Sequence, residues 1–210
     1  YGVSSGVGSS NVIEHLGYEF KSDVNVLRNE INTAGITFLH APLFHPAMRF
    51  VGPIRKELGL KTFFNMIGPL VNPSKPTFQL TGVYAPEILP LFNHVLKNNL
   101  KRYAIVHAVD IYDEVSLTCD FHLYSHEGIN KYSPADLGLS ILKPEDIGGG
   151  DTVEEAATIL KNVLSGKGTK AQNEVVAANA GLAIYVAKNV SLKESVEEAL
   201  DIIKEGKAIN

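Results

Sequence analysis

Two neighbouring carboxylates, Asp113 and Glu114, follow a predicted buried strand and could hold a metal ion. The strand, residues 103–107, is expected to pair in parallel, and α/β sheets place their ligands beyond the carboxyl ends of such strands. Mg²⁺ prefers oxygen ligands and is commonly held by one or two carboxylates together with substrate phosphates. From the residue types alone, an adjacent acidic pair is more typical of a solvated turn, because Asp and Glu are common turn and surface residues. Residue types alone leave both interpretations open.

The chain opens on a glycine- and serine-rich stretch, YGVSSGVGSS, with three glycines and four serines in ten residues. Such a backbone can curl around an anion and offers it N–H and hydroxyl groups. A predicted helix over residues 11–16 follows, and the N-terminal end of a helix favours phosphate. A plain flexible linker has the same composition. Because a chain seldom begins inside such a loop, we expect these residues to continue a longer protein.

Arg55 and His45 form a third candidate group. If Pro53 opens a short helix, Arg55 lies in its first turn, where the helix dipole disfavours a cation unless an anion is near. A guanidinium binds a planar carboxylate through two parallel hydrogen bonds. An exposed Arg55 paired with Glu57 or with solvent explains the same spacing, and His45 is also typical of a capping or packing residue.

Composition excludes several classes of protein. The formal net charge of -4 and the pI near 6.0 give no general attraction to nucleic acid or anionic lipid. No apolar run approaches the roughly 18 residues that span a bilayer. A single cysteine, Cys119, cannot form an internal disulfide and is interpreted as a small apolar residue. We therefore expect a cytoplasmic protein with small-molecule partners and neither nucleic acid nor membrane as partner.

Helix-like and strand-like segments alternate along the chain, as in layered α/β domains. Helices are predicted over 11–16, 24–33, 87–100 and 169–188, with two short helices meeting at Gly52 within 45–59. Strands are predicted over 36–39, 78–84 and 103–107, the last two in parallel, and antiparallel edge strands over 115–118 and 121–124. Capping boxes are predicted at Asp151 with Glu154 and at Ser191 with Glu194.

Several strings, taken in order, resemble the anthranilate phosphoribosyltransferase family. They are VSS at 3–5, GS at 8–9, HPAM at 45–48, PIRKELG at 53–59, FNMIGPLVNP at 64–73 and DEVSLT at 113–118. The resemblance implies an α/β fold with a mainly parallel central sheet flanked by helices, the large domain of the nucleoside-phosphorylase/phosphoribosyltransferase type. Residues 1–210 would form this domain, with 45–60 as helices of a small helical domain that is otherwise mostly missing.

The resemblance also implies a reaction, in which the phosphoribosyl group of phosphoribosyl pyrophosphate passes to anthranilate in tryptophan biosynthesis, with Mg²⁺ as cofactor. Asp113 and Glu114 would hold the metal, and no residue is assigned as general base. The implied phosphoribosyl-pyrophosphate-binding residues are Tyr1, Gly2, Val3, Ser4, Ser5 and Ser9. The implied anthranilate-binding residues are Arg55, His45, Gly68 and Pro69. The family's helical domain forms much of its dimer interface, so a full-length homodimer is expected.

The chain also departs from the family pattern. A glycine-rich pyrophosphate loop and an asparagine-bearing segment, which the family places upstream of Tyr1, are absent, and Tyr1 and Gly6 replace residues that are often basic. We therefore expect the 210-residue polypeptide alone to be inactive. Pyrimidine-nucleoside phosphorylases share the implied architecture, but they need neither the Arg55 clamp nor the acidic pair. A non-catalytic relative that binds nucleic acid is a further alternative, which the negative charge disfavours.

Overall fold

The computed structural model of the protein describes residues 7–45, 66–110 and 112–209. The chain divides into two compact units, Tyr1–Lys75 and Pro76–Asn210. The N-terminal Tyr1 to Ser5, Arg55 and all but the first residue of the predicted 45–60 helical segment lie outside the described residues. The helices there, and the domain assignment that depends on them, stay predictions.

The first unit contains helices α1 (Ser9–His15), α2 (Val24–Ala34) and α3 (Ala41–Phe44), and a 3-10 turn at Gly68–Val71. The sequence predicts α1 and α2 to within two residues. Asp23 begins α2 by accepting hydrogen bonds from the N–H groups of Asn25 (2.8 Å) and Val26 (3.2 Å). Gly35 ends the helix with φ of 74°, a left-handed conformation that favours glycine.

The prediction of a strand over residues 36–39 is wrong, because this segment pairs with no strand among the described residues. Side-chain contacts hold it instead. The Phe38 ring packs edge-on against Tyr18 at 5.0 Å and Phe20 at 6.2 Å between ring centroids. The Thr37 hydroxyl donates a hydrogen bond to the Glu30 carboxylate. The strand-like composition of this segment therefore reflects packing in an aromatic cluster rather than pairing in a sheet.

The second unit is built on a four-stranded sheet of order β1-β2-β3-β4. Its strands are β1 (Phe78–Gly82), β2 (Arg102–Ala108), β3 (Phe121–Ser125) and β4 (Gly128–Tyr132). A 3-10 turn, Pro86–Ile88, and helix α4 (Leu89–Asn99) join β1 to β2. The two strands are parallel, with Phe78 opposite Arg102 and Gly82 opposite Val106. The predicted strand-helix-strand unit is confirmed.

The α/β class with helices flanking a sheet is confirmed, but the sheet is mixed over the described residues rather than mainly parallel. Strand β3 runs antiparallel to both β2 and β4. The reason is the length of the connections, because a parallel return needs a crossover, usually through a helix. Residues 109–120 contain no helix among those described, and only His126 and Glu127 separate β3 from β4.

The predicted edge strand over 115–118 is also wrong. Leu117 has φ of 60°, which no regular strand accommodates. The hydroxyls of Ser116 and Thr118 donate to the Asp110 carboxylate. Local side-chain hydrogen bonds thus replace a strand ladder. On the side of β3 that faces away from β2, the antiparallel neighbour is β4.

Three helices close the chain: α5 (Val153–Leu164), α6 (Lys170–Lys188) and α7 (Leu192–Lys204). Ser191 and Glu194 form the predicted capping box of α7. The box of α5 lies one residue later than predicted, at Thr152 and Glu155 rather than Asp151 and Glu154. Asp151 instead donates its backbone N–H to the Glu155 carboxylate at 2.8 Å, since that carboxylate reaches two successive N–H groups.

Helix α6 packs into the core of the second unit. Ala177, Ala178 and Leu182 on α6 are fully buried, and Ala178 and Leu182 share a cluster with residues of β2 and β3. Gly181 lets α7 approach closely, since a Cβ there would lie 2.5 Å from Cγ2 of Val196. In the described parts of the chain, no helix is both long and apolar enough to cross a bilayer.

Candidate functional site

The predicted metal ligands lie in the loop that joins β2 to β3, residues 109–120. Backbone hydrogen bonds close its base, from the Val109 N–H to the Asp120 carbonyl (2.9 Å) and from the Ala108 N–H to the Tyr112 carbonyl (2.9 Å). The loop begins at the carboxyl end of β2. Because β1 and β2 are parallel, both strands end at this edge of the sheet. The loop therefore lies at the predicted edge of the sheet, where α/β sheets place their ligands, and its role as a ligand site stays a prediction.

Four carboxylates lie in this loop, and the structure divides them into two pairs. Asp110 accepts hydrogen bonds from the hydroxyls of Ser116 and Thr118. Asp120 forms a 2.8 Å ion pair with Lys131. Asp113 and Glu114 are exposed, and neither side chain makes a hydrogen bond or ion pair with any residue that the structure describes. The two acids predicted from the sequence are thus the two that remain available to a ligand.

Electrostatics distinguishes one acid of each pair, Glu114 and Asp110. Although Glu114 is exposed, surrounding protein atoms desolvate its carboxyl group and raise its pKa, and the adjacent charge of Asp113 raises it further. Burial also raises the pKa of Asp110, but the hydrogen bonds that its carboxylate accepts, the largest from Thr118, outweigh burial and leave that pKa below its usual value. The ionised form of Asp110 is therefore stabilised, whereas the ionised form of Glu114 is disfavoured and has no compensating cation among the described residues.

Gly82, the last residue of β1, contacts this loop directly. A Cβ atom at Gly82 would lie 1.6 Å from the backbone carbonyl oxygen of Asp113. No side chain larger than hydrogen fits there unless the loop moves. The absence of a side chain at Gly82 therefore sets how closely Asp113 approaches the sheet.

Asn179 of α6 holds the loop from the other side. Its side-chain oxygen accepts from the Val115 N–H (2.9 Å), and its amide nitrogen donates to the Val115 carbonyl (2.8 Å). The same nitrogen donates to the Val175 carbonyl one turn earlier in α6 (2.9 Å). Sequence reasoning missed Gly82, Asp110 and Asn179, because their partners are distant along the chain or are backbone atoms.

Cys119 is half-buried and carries a free thiol. Burial is the largest of the effects that raise its pKa, so the thiol stays protonated at neutral pH. It accepts a hydrogen bond from the Asp110 N–H at 3.3 Å and donates one to the Asp120 carbonyl at 3.1 Å. These contacts place it in the base of the loop and not at a nucleophilic centre.

The other predicted site residues belong to the first unit. Ser9 is the exposed first residue of α1, and His45 follows α3, with its N–H bonded to the Ala41 carbonyl at 3.0 Å. Gly68 and Pro69 open the 3-10 turn Gly68–Val71. Their roles stay predictions, as do those of Arg55 and of residues 1–5. Two open hollows of about 550 and 630 Å³, one in each unit, are lined by none of the predicted site residues.

The sequence matches the family profile "Glycosyl transferase family, a/b domain" over residues 1–209. The chain belongs to this glycosyl transferase family. The anthranilate phosphoribosyltransferase of Christiangramia forsetii is 49% identical over 210 residues, which is 100% of this chain and 63% of the relative. The chain thus spans less than two thirds of the length of that relative.

Solved structures lead to the same family. The crystal structure of anthranilate phosphoribosyltransferase from Thermus thermophilus has a TM-score of 0.89 and 33% identity, over 96% of this chain and 61% of that one. The Saccharomyces cerevisiae enzyme in complex with PRPP and Mg has a TM-score of 0.86 and 27% identity, over 95% of this chain and 58% of that one. The fold of this glycosyl transferase chain is therefore that of anthranilate phosphoribosyltransferases.

Proposed function

We propose that this chain is part of an enzyme that catalyses the anthranilate phosphoribosyltransferase reaction. The phosphoribosyl group of phosphoribosyl pyrophosphate (PRPP) passes to the amine of anthranilate and gives N-(5-phosphoribosyl)anthranilate and pyrophosphate, in tryptophan biosynthesis. The 49% identity to the C. forsetii enzyme supports this reaction. The proposal depends above all on one observation, the exposed Asp113–Glu114 pair at the carboxyl edge of the sheet, which has no partner among the described residues.

The acidic pair fits Mg²⁺. Both carboxylates have oxygens without a partner among the described residues. Desolvation and the charge of Asp113 raise the pKa of Glu114, so a bound cation would stabilise its ionised form. The yeast relative that contains PRPP and Mg supports this choice of metal. When bound, Mg²⁺ would neutralise negative charge on the pyrophosphate group. Asp113 and Glu114 would supply protein ligands, and phosphate oxygens would complete the coordination.

The remaining task of the protein is to orient the substrates. Cleavage of the bond between ribose C1 and pyrophosphate leaves positive charge on the sugar, and the lone pair of the amine forms the new C1–N bond. An aromatic amine is neutral at pH 7, so it attacks without a strong base and releases its proton afterwards. Arg55 would orient anthranilate by binding its carboxylate through two parallel hydrogen bonds. We assign no general base.

Further roles follow from the resemblance to these relatives. His45, Gly68 and Pro69 would line the approach of anthranilate, and the N-terminal loop would bind PRPP through Tyr1, Gly2, Val3, Ser4, Ser5 and Ser9. We also propose that the protein acts in the cytoplasm and as a homodimer.

The test uses the full product of the gene, with anthranilate fluorescence as the measure of rate at fixed PRPP and varied Mg²⁺. We expect Asp113→Asn to raise the Mg²⁺ concentration for half-maximal rate by about tenfold or more. Asp120→Asn is the matched control, because that carboxylate is paired with Lys131, and it should keep the wild-type Mg²⁺ dependence. A wild-type protein that consumes no anthranilate, or an Asp113→Asn variant with unchanged Mg²⁺ dependence, would contradict the proposal.

A further inference from the structure

Asn179 makes an unusual contact with the loop that carries the acidic pair. Its amide group pairs with both backbone groups of a single residue, Val115, which directly follows Glu114. Val115 itself is buried, with 1% of its surface exposed. Buried backbone N–H and carbonyl groups need hydrogen-bond partners, and this irregular loop offers Val115 no strand neighbour among the described residues. The Asn179 side chain supplies both partners and imitates the edge of a strand.

Asn179 is itself held in place. A third hydrogen bond, to the Val175 carbonyl, fixes its amide orientation against α6. Ala178 beside it and Leu182 one turn later are fully buried in the core cluster. The amide is thus attached to a deeply packed helix of the second unit. Any displacement of Val115 must stretch hydrogen bonds to a rigid support.

We propose that Asn179 is a positioning residue for Asp113 and Glu114: it fixes the chain direction directly after Glu114, so that both carboxylates are presented together to a divalent cation. This inference depends on the proposed metal-binding role of that pair. In this role Asn179 acts without ligating the cation: its amide nitrogen donates to the Val115 and Val175 carbonyls, and its side-chain oxygen accepts from the Val115 N–H. Its effect reaches the metal only through the backbone of the loop.

Two further contacts hold other parts of the loop and cannot replace this one. The close approach of Gly82 restrains the Asp113 carbonyl, and Asp110 binds the hydroxyls of Ser116 and Thr118. Neither contact involves the backbone groups of Val115. Without Asn179, the segment between Glu114 and Ser116 has two unpaired buried groups and can reorient to reach water.

Two variants test the role of the amide. Asn179→Ala removes the side chain, and Asn179→Leu removes the hydrogen bonds while keeping a side chain of similar size. Asn173→Leu is the matched control, because Asn173 lies on the same helix and is also half-buried. Its side-chain amide donates a hydrogen bond to the backbone carbonyl of Gly168 at 3.2 Å. It does not contact the loop, so it reports the general effect of losing an amide from α6.

The first readout is amide hydrogen exchange, measured by mass spectrometry on the metal-free chain. We expect exchange in residues 109–120 to accelerate about tenfold or more in both Asn179 variants and to stay at the wild-type rate in Asn173→Leu, because two buried hydrogen bonds are lost only in the former. Unchanged exchange in this loop would overturn the inference whether or not the chain binds a metal.

The second readout is the affinity for Mn²⁺ alone, a paramagnetic substitute for Mg²⁺, followed by water-proton relaxation. Loss of an indirect support of metal ligands costs about 10–100-fold in affinity, and we expect a loss in that range for both Asn179 variants but not for Asn173→Leu. Wild-type affinity in the Asn179 variants would overturn the inference. A wild-type chain that binds Mn²⁺ no better than Asp113→Asn would instead refute the proposed metal site, and the exchange result would still decide whether Asn179 orders the loop.

Discussion

A methyl group at Gly82 is expected to push the Asp113–Glu114 segment away from the sheet. The Cβ of alanine would lie 1.6 Å from the Asp113 carbonyl oxygen. Ordinary van der Waals contact needs about 3.5 Å, so the two atoms must separate by roughly 2 Å. Gly82 has no positive φ angle, so alanine itself fits the local backbone, and the whole effect comes from this contact.

The cost of the displacement can be estimated from other overpacked sites. Forcing extra carbon atoms into a well-packed position typically costs about 1–3 kcal/mol. A loss of about 2 kcal/mol lowers the melting temperature by about 4–8 °C in a chain of roughly 150–250 residues. Because the atom that moves belongs to a proposed metal ligand, we also expect Mn²⁺ affinity to fall by about tenfold or more.

The assay compares Gly82→Ala with Gly149→Ala by thermal denaturation and by Mn²⁺ titration. Gly149 is the control, because a Cβ there meets no atom within 4 Å and its φ angle is not positive. We expect the control to behave as the wild type in both measurements. If Gly82→Ala matched the control in melting temperature and in Mn²⁺ affinity, the contact between β1 and the loop would not position the acidic pair.

Two further predictions follow from the second unit. Because the pKa of Glu114 is raised, its proton should begin to compete with Mn²⁺ at a higher pH than an ordinary glutamate would allow, and Glu114→Gln should remove this part of the pH dependence. A raised pKa in the folded state also means that the ionised carboxylate destabilises the fold at neutral pH. Glu114→Gln should therefore raise the melting temperature at neutral pH, and a lower melting temperature would contradict the raised pKa. Gly181→Ala should lower the free energy of unfolding by about 1–3 kcal/mol, because its Cβ would lie 2.5 Å from Cγ2 of Val196. Adding Val196→Ala should recover part of this loss, which a double-mutant cycle measured by denaturant unfolding would show.

Features encoded by neighbouring residues were predictable from the sequence. Ser191 with Glu194 marks the start of α7, and Gly35 marks the end of α2, because capping depends on residues a few positions apart. The parallel pair β1 and β2 also follows from local patterns, since two apolar runs flank a helix of suitable length. The order of these elements was enough to place Asp113 and Glu114 at the carboxyl edge of the two parallel strands.

Features that depend on distant partners were not predictable. Residues 36–39 and 115–118 both have the composition of short strands, and only the tertiary structure shows that neither has a strand partner among the described residues. The bonds from Asn179 to Val115 connect positions 64 residues apart. The need for glycine at position 82 arises from Asp113, which approaches only in the folded chain. No local pattern contains this information.

The way the loop distributes its four acids explains why only two of them suit a ligand. Asp110 and Asp120 have partners within the protein: Asp110 accepts hydrogen bonds from loop hydroxyls, and Asp120 forms an exposed ion pair with Lys131. Asp113 and Glu114 receive no such compensation from the described residues, and the pKa of Glu114 is raised, first by desolvation and then by the adjacent charge of Asp113. The Asp113 carbonyl lies against Gly82, and Asn179 binds the backbone of Val115, while both carboxylates have no partner among the described residues. A bound cation would relieve the electrostatic penalty that this arrangement leaves on Glu114. If the pair binds a metal as proposed, we expect its affinity to depend on Gly82 and Asn179, two residues that would not contact the metal.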